Sequence, residues 1–130
     1  MRRFWPQRHT KEEQTIMPCI QTKVSVKMTD QQEKTIKEQL GKAISLIPGK
    51  SESWLMLTFE DDCHIYFQGD GKQPAAFVEV KIYGKANGDA YDQMTAAITQ
   101  ILSNELQIAP NRIYVKYEET AHWGWNGNNF

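Results

Sequence analysis

The strongest constraint on the fold is a succession of hydrophobic patterns that occurs twice along the chain. Residues 19–28 alternate apolar and polar side chains, which predicts a strand with one buried face. Residues 36–47 then place apolar side chains at steps of three and four, which predicts a helix. The same succession returns as a strand over Ala76 to Tyr83 and a helix with apolar positions from Tyr91 to Leu106. Two similar units are therefore expected.

The helices have recognisable end signals. Thr29 and Asp30 offer side-chain oxygens for the N-cap of the first helix, and Glu33 completes a capping-box pattern with Asp30. Pro48-Gly49 is expected to stop this helix, and Ala109-Pro110-Asn111 the second.

A longer and a shorter strand are predicted after each helix. In the first unit these are Ser53 to Glu60 and, after a turn at Asp61-Asp62, a short antiparallel return from Cys63 to Phe67. In the second unit they are Arg112 to Glu118 and a short closing strand at Trp123-Gly124-Trp125.

Two β-α-β units predict an α+β fold in which two helices lie on one face of a four-stranded mixed sheet, because each crossover is right-handed. The other face of this sheet has no predicted layer over it. In a monomer Val24 and Val26, or the residues that alternate with them, would contact water. We therefore expect copies of the chain to assemble over this face.

Composition and charge exclude several classes of function. The 130 residues suit a single domain, and 15 Lys and Arg against 16 Asp and Glu give a formal net charge of -1. A near-neutral chain lacks the basic face that nucleic acid or an anionic membrane surface would bind. No stretch approaches the ~20 apolar residues that span a bilayer. Neither nucleic acid nor membrane is therefore a predicted partner.

The first residues and the cysteines indicate the compartment. Met1 to Pro6 begins like a signal peptide, but polar residues 7–13 follow where an apolar region is required. We expect a cytoplasmic protein, unless it leaves the cell by a route that no signal peptide marks. Cys19 and Cys63 form no C-x-x-C motif, so free thiols are predicted, with no metal and no cofactor.

An ordered set of motifs runs along residues 17–130. It begins with Met17-Pro18-Cys19-Ile20-Gln21-Thr22 and continues with Ile82 to Lys85, Leu106 to Val115, and Gly124-Trp125-Asn126 with Phe130. This set resembles the macrophage migration inhibitory factor superfamily of tautomerases, in which the three later segments correspond to the loop after the strand that opens the second unit, the second-helix exit and the C-terminal segment. The resemblance implies a homotrimer with pockets between adjacent subunits.

The resemblance also implies that the initiator Met is removed and that the exposed proline is the catalytic base. A proline at a chain start is a secondary amine with a lone pair, whereas inside a chain its nitrogen is an amide that accepts no proton at neutral pH. Pro18 follows Met17 and sixteen further residues, so the chain as written has no base. Activity is predicted only for a chain that starts at Pro18.

Residues 1–16 are predicted to be a disordered extension ahead of a tautomerase-like domain at 17–130, because they are polar and charged. Lys11-Glu12-Glu13 back-translates to AAG-GAG-GAA, which contains the AGGAGG of a bacterial ribosome-binding site ahead of the Met17 codon. One hypothesis is that residues 1–16 are an untranslated leader read as protein. The alternative is a genuine extension with another role.

The pocket residues are likewise implied by the resemblance. Lys50 would pair with the substrate carboxylate or the developing oxyanion, and a backbone N–H near Tyr83 would donate beside it. Lys116 stands where the animal protein has asparagine, and it adds a second cation that would tighten carboxylate binding or lower the pKa of Pro18. An aryl-binding wall would consist of Trp54, where the family commonly has tyrosine, with Tyr114, Trp125 and Phe130.

Each of these residues also has a structural interpretation. Lys50 beside Gly49 is consistent with a solvated loop lysine, and Tyr114 on an alternating strand with a core residue. Trp125 and Phe130 would then cover a sheet edge.

Three functions remain open from the sequence. The first is a homotrimeric tautomerase that isomerises an α-keto acid such as phenylpyruvate, with Pro18 as its base. The second is a cytokine-like trimer that a host receptor recognises and whose pocket is vestigial. The third is a structural trimer in which Pro18 stays an amide.

The intact mass of the natively produced protein tests the leader hypothesis. If residues 1–16 are not translated and Met17 is removed, mass spectrometry gives the mass of residues 18–130. A mass that includes Met1 to Ile16 contradicts the hypothesis.

Overall fold

Residues 17–129 are described by a computed structural model, and within them the chain forms six strands and two helices. The predicted extension 1–16 and Phe130 lie outside the described residues. The elements in chain order are β1 Pro18–Val24, α1 Asp30–Ala43, β2 Met56–Glu60, β3 Ala76–Tyr83, α2 Gly88–Leu106, β4 Ile113–Thr120, β5 Gly124–Trp125 and β6 Asn128–Asn129. The predicted succession of strand, helix and strand is present twice.

The four longer strands form one mixed sheet in the order β2-β1-β3-β4. β1 is parallel to β2 and antiparallel to β3, and β3 is parallel to β4. A helix connects the two strands of each parallel pair, as a crossover between parallel strands requires. The predicted α+β fold with a four-stranded mixed sheet is confirmed.

Both helices pack on the same face of the sheet, where their apolar stripes join alternate strand residues in one buried cluster. Ile36 and Leu40 of α1 and Met94 and Ile98 of α2 are at most 1% exposed. The strand residues of this cluster follow at period two: Ile20, Val24, Ala76, Val78, Val80 and Ile82. In the described part of the chain, neither helix is long and apolar enough to cross a membrane.

The ends of α1 differ from the prediction. Thr29 is the N-cap, and its hydroxyl accepts a hydrogen bond from the Gln32 N–H at 3.1 Å. The Gln32 side chain in turn accepts from the Thr29 N–H at 2.9 Å, so the capping box uses Gln32 and not Glu33. α1 ends before Pro48, and the 3-10 helix Ile44–Leu46 follows it.

The predicted return strand from Cys63 to Phe67 is wrong. The N–H groups of Asp62 and Cys63 donate to the carbonyls of Val26 and Val24, at 2.9 and 3.0 Å. These bonds lead the chain past the end of β1 instead of back along β2.

Other strand boundaries are also corrected. β1 spans Pro18–Val24, so it ends four residues before the predicted end at residue 28. β2 begins at Met56 and not at Ser53, because Glu52–Trp54 forms a 3-10 turn. β4 continues to Thr120, two residues beyond the predicted end. The closing strand is β5, which pairs with β6 in a separate hairpin and not with the main sheet.

Val24 is fully buried on the helix side of the sheet. The opposite face is formed by the strand residues whose side chains alternate with it. Its centre is polar, with Gln21 and Glu79 paired across β1 and β3. At one end the segment 64–67, together with Phe77 and Tyr114, lines a largely apolar cavity of about 360 Å³. In the single chain Tyr114 is 61% exposed, so this end presents aromatic surface to solvent.

Candidate active site

Pro18 is buried at the first position of the central strand β1. It pairs with Ile82 near the end of β3, and the next residue, Cys19, pairs with Met56 at the start of β2. Proline suits this position because it has no N–H to give to the ladder of hydrogen bonds. The ring nitrogen therefore lies where three of the four sheet strands start or end.

Met17 occupies this strand end in the chain as given. It is 3% exposed, and its carbonyl accepts a hydrogen bond from the Tyr83 N–H at 3.1 Å. While Met17 is attached, the nitrogen of Pro18 is an amide and has no basic lone pair.

Lys50 reaches the same strand end from the turn that follows the first helix. Its N–H donates to the Ile47 carbonyl at 3.0 Å, and Gly49 supplies the positive φ of 84° that this turn needs. The residue is 5% exposed, and Nζ donates to the Tyr83 carbonyl at 3.0 Å. Lys50 is therefore not a solvated loop lysine.

Burial lowers the pKa of Lys50 from 10.5 to about 8. At neutral pH the side chain is still mostly a cation. It gives up a proton more readily than an ordinary lysine, because the ammonium is partly removed from water. A group of this kind can both attract an anion and donate to a developing oxyanion.

Trp54 and Trp125 form an aromatic pair at the same end of the sheet. Their ring centroids are 4.8 Å apart, and the planes meet at 83°, an edge-to-face contact. Trp54 ends the 3-10 turn that precedes β2, and Trp125 lies on the β5–β6 hairpin. The chain enters this hairpin soon after Thr120, which pairs with Tyr83.

Tyr114 and Lys116 are not at this end of the sheet. Tyr114 pairs with Phe77, whereas Glu119 pairs with Ile82, the partner of Pro18. Tyr114 is five residues before Glu119 on β4, which is roughly 16 Å along the strand. A single chain therefore does not bring Tyr114 next to Pro18.

Lys116 lies between these two ends and belongs to a group of surface charges. Its Nζ is 3.7 Å from a Glu118 carboxylate oxygen, and Nζ of Lys81 is 3.7 Å from the other oxygen of the same carboxylate. The Glu118 carboxylate thus partly neutralises the second cation that was predicted at Lys116. Phe130, the remaining predicted pocket residue, lies outside the described residues.

Two features of the structure, one at each end of the sheet, could not be found by sequence reasoning. Cys19 lies beside Pro18, and burial raises the pKa of its thiol while Lys81 partly opposes this rise. Arg112, which precedes β4, bonds to several backbone carbonyls of the 67–74 loop. Because these partners are backbone carbonyls, which every residue has, no residue type in the sequence marks them. Within residues 17–129 no group of three or more His, Cys, Asp or Glu could hold a metal ion.

Known proteins match both the sequence and the fold. Residues 17–130 match the family model for macrophage migration inhibitory factor. The macrophage migration inhibitory factor of Xenopus laevis is 30% identical over 98 residues, which cover 74% of this chain and 84% of that protein. The solved structure of Leishmania major MIF2 has a TM-score of 0.83 at 38% identity, covering 89% of this chain and 99% of that chain. A homologue from Prochlorococcus marinus has a TM-score of 0.78 at 27% identity, covering 86% and 98%.

The duplicated β-α-β sheet of this chain is the fold of the tautomerase superfamily, to which these neighbours belong. Within that superfamily, the chain belongs to the macrophage migration inhibitory factor family. The resemblance read from the sequence is thereby confirmed.

The lowered pKa of Lys50 predicts a pH dependence of stability. Between about 8 and 10.5 the folded state has released the Lys50 proton and the unfolded state still holds it. Unfolding then takes up a proton, so the free energy of unfolding rises with pH through this window. Urea denaturation at about pH 7 and about pH 10 should show this gain in wild type relative to Lys50→Met.

The exposed Lys42 of α1 provides the control, because Lys42→Met removes a lysine without removing a buried one. Its pH dependence should match that of wild type. If Lys50→Met also matches wild type, the side chain does not titrate as described.

Proposed function

We propose that this chain is a homotrimeric tautomerase that interconverts the keto and enol forms of an α-keto acid such as phenylpyruvate. Its base is the ring nitrogen of Pro18, once no residue precedes it. The proposal is carried by one observation: the backbone of Tyr83 bonds both to the residue joined to Pro18 and to the buried ammonium of Lys50. A nitrogen, an N–H donor and a cation thus share one end of the sheet.

The surroundings of Pro18 favour a base that works near neutrality. Ordinary α-amino groups titrate at about 7.7 to 8.0. Burial at the start of β1 disfavours the charged ammonium, and the nearby cation of Lys50 disfavours it further. Both effects lower the pKa of an amine at this position. A base is most effective when its pKa lies close to the working pH.

The reaction is a proton transfer that needs no external reagent. The Pro18 nitrogen takes a proton from the carbon next to the substrate carbonyl, and the electron pair of that C–H bond moves to form the enolate. The Lys50 ammonium and the Tyr83 N–H stabilise the negative oxygen. The enolate oxygen then takes up a proton from water, which gives the enol, and the Pro18 ammonium returns its proton to the solvent, which restores the free amine. In the chain as given, the Met17 carbonyl oxygen is the group that meets this N–H.

Assembly would complete the pocket with residues from a second subunit. Tyr114 lies too far along β4 to reach the Pro18 of its own chain, and Lys116 lies between the two ends of the sheet. They lie on the face of the sheet that the helices do not cover, as do the aromatic residues of the cavity near 64–67. Packing of copies over this face would bury that surface and bring Tyr114 of one chain to the Pro18 of the next.

The aromatic groups favour a substrate with an aryl ring. Trp54 and Trp125 already form one wall beside the strand end. Tyr114 from the adjacent subunit would add a second wall, and Phe130 a third as the family resemblance implies. Rings held between such side chains gain from edge-to-face and offset stacking.

Removal of the residues ahead of Pro18 is expected to switch activity on. A chain that starts at Pro18 should enolise phenylpyruvate, measured from the ultraviolet absorbance of the enol. The chain that starts at Met1 should be slower by at least about 100-fold, because a positioned base contributes about 10² to 10⁴ in rate and an amide supplies none. Pro18→Gly in the shorter chain should lose activity to a similar degree, since a flexible primary amine replaces the fixed ring nitrogen.

Trimer formation by each variant, measured by light scattering, controls for misfolding. Equal rates for the chains that start at Met1 and at Pro18 contradict an amine mechanism. A trimer that starts at Pro18 and has no activity contradicts catalysis altogether, and it favours the alternative of a cytokine-like protein recognised by a host receptor.

Mixed trimers test whether the pocket lies between subunits. With phenylpyruvate far below its KM, where the rate follows kcat/KM, Pro18→Gly and Tyr114→Ala should each be weakly active alone. After co-expression at equal amounts, each mixed trimer contains one site with an intact Pro18 from one chain and an intact Tyr114 from its neighbour. Activity should return to about a quarter of wild type, since about three quarters of the trimers are mixed and one third of their sites are intact. Absence of any recovery means that both residues act in the same chain.

A further inference from the structure

Arg112 stands immediately before β4, and its guanidinium is bound by the loop that crosses the open face of the sheet. Its side chain is 11% exposed. Nε donates to the Pro74 carbonyl at 2.9 Å, Nη1 to Phe67 at 3.2 Å, and Nη2 to Asp70 at 2.9 Å and Gln73 at 3.1 Å. Four carbonyls of one loop thus converge on a single planar group, an arrangement that the shape of arginine permits and that of lysine does not.

The loop contains a tight turn, to which the Arg112 guanidinium is hydrogen-bonded. Phe67 and Asp70 exchange two backbone hydrogen bonds at 3.1 and 3.0 Å, and Gln68 and Gly69 between them have φ values of 55° and 79°. The Asp70 carboxylate lies 3.9 Å from Nη1 of Arg112, which adds an ion pair to the bonds with the carbonyls. Removal of the guanidinium would take this donor from the Gln73 and Pro74 carbonyls, and would leave the Phe67 and Asp70 carbonyls with only the bonds that they exchange.

A chain of ring contacts runs from Arg112 to Tyr114. The guanidinium carbon lies 5.5 Å from the centroid of the Phe67 ring, within the range of a cation–π contact. The Phe67 ring in turn meets the Tyr114 ring edge-to-face, with centroids 5.1 Å apart and planes at 77°. Tyr114 is otherwise largely exposed, so the position of its ring depends on Phe67.

We propose that Arg112 is a positioning residue for Tyr114, through Phe67, and that it thereby sets the preference of the enzyme for substrates with an aryl ring. This inference rests on the proposed function, in which Tyr114 forms a wall of the pocket of the adjacent subunit. Arg112 itself touches no substrate. It fixes the loop by its carbonyl bonds and the Phe67 ring by its guanidinium face, and Phe67 fixes the Tyr114 ring.

If Arg112 only stabilised the loop and did not position Tyr114, its substitution would affect the kinetics differently. Pro18, Lys50 and Tyr83 lie at the other end of the sheet, so a loosened Phe67 leaves their geometry intact. Loss of the Tyr114 position should therefore weaken binding of the aryl ring, and should not slow the proton transfer that follows binding. A general loss of structure would lower kcat for every substrate.

Steady-state kinetics on the chain that starts at Pro18 measure this difference. The variants are Arg112→Lys, which keeps the charge and loses the planar fork, and Phe67→Leu, which keeps the carbonyl bonds and loses the ring. Lys72→Ala is the matched control, since Lys72 is an exposed residue of the same loop whose bond to Asp70 comes from its backbone N–H. The substrates are phenylpyruvate and 2-oxobutanoate, an α-keto acid without a ring.

For phenylpyruvate, both Arg112→Lys and Phe67→Leu should raise KM by about five- to tenfold, the value of one edge-to-face contact, and change kcat less than about twofold. The KM for 2-oxobutanoate should change much less. The double variant should resemble the single ones, because both break the same chain of contacts. An unchanged KM for phenylpyruvate, or equal losses on both substrates, overturns the inference.

A spectroscopic measurement keeps the inference testable without catalysis. The ring resonances of Tyr114, assigned by comparison with Tyr114→Phe, should shift in Arg112→Lys and Phe67→Leu and stay in place in Lys72→Ala. If wild type enolises neither acid, the proposed function fails, and the resonances alone decide whether Arg112 positions Tyr114. Unshifted resonances in the two variants refute the positioning role. If Arg112→Lys does not form trimers, Phe67→Leu decides by the same criteria.

Discussion

The candidate site depends on the backbone of Tyr83, which bonds in two directions at the end of β3. Its N–H donates to the residue joined to Pro18, and its carbonyl accepts from Lys50. β3 is a central strand and is paired along its length on both sides. Its end is therefore a fixed point against which the start of β1 and the loop carrying the cation are both placed. The burial that results is the reason that the Lys50 pKa falls.

Local patterns predict those parts of the fold that have local causes. The strand from Ala76 to Tyr83 has the predicted bounds, because its alternation allows only one register with a buried face. The helix with apolar positions from Tyr91 to Leu106 is found for a similar reason. The segment from Cys63 to Phe67 is not a strand, because its direction is set by hydrogen bonds to the end of β1. A short window of sequence does not contain that information.

The residues of the candidate site show the same difference between what the sequence predicts and what only the structure reveals. The family resemblance named Pro18, Lys50 and Tyr83, and the structure brings them together at one strand end. Tyr114 was named with them and lies far along β4, since the pairing of β3 with β4 decides which end of the sheet each residue reaches. Arg112 was not named, because its partners are main-chain oxygens of residues 67–74. Sequence reasoning thus recognises chemical groups better than the distances between them.

The burial of Met17 bears on when that residue can be cut away. A peptidase that removes Met17 has to bind its side chain and the peptide bond to Pro18. Here the Met17 side chain is buried, and its carbonyl is hydrogen-bonded within the sheet. This enclosure disfavours trimming once this part of the sheet has closed, so the nascent chain is the better substrate for a trimming peptidase. A polypeptide initiated further upstream carries this proline as an amide until the preceding residues are removed. Under the proposed mechanism, the choice of start codon would then set how many chains are made with the free amine.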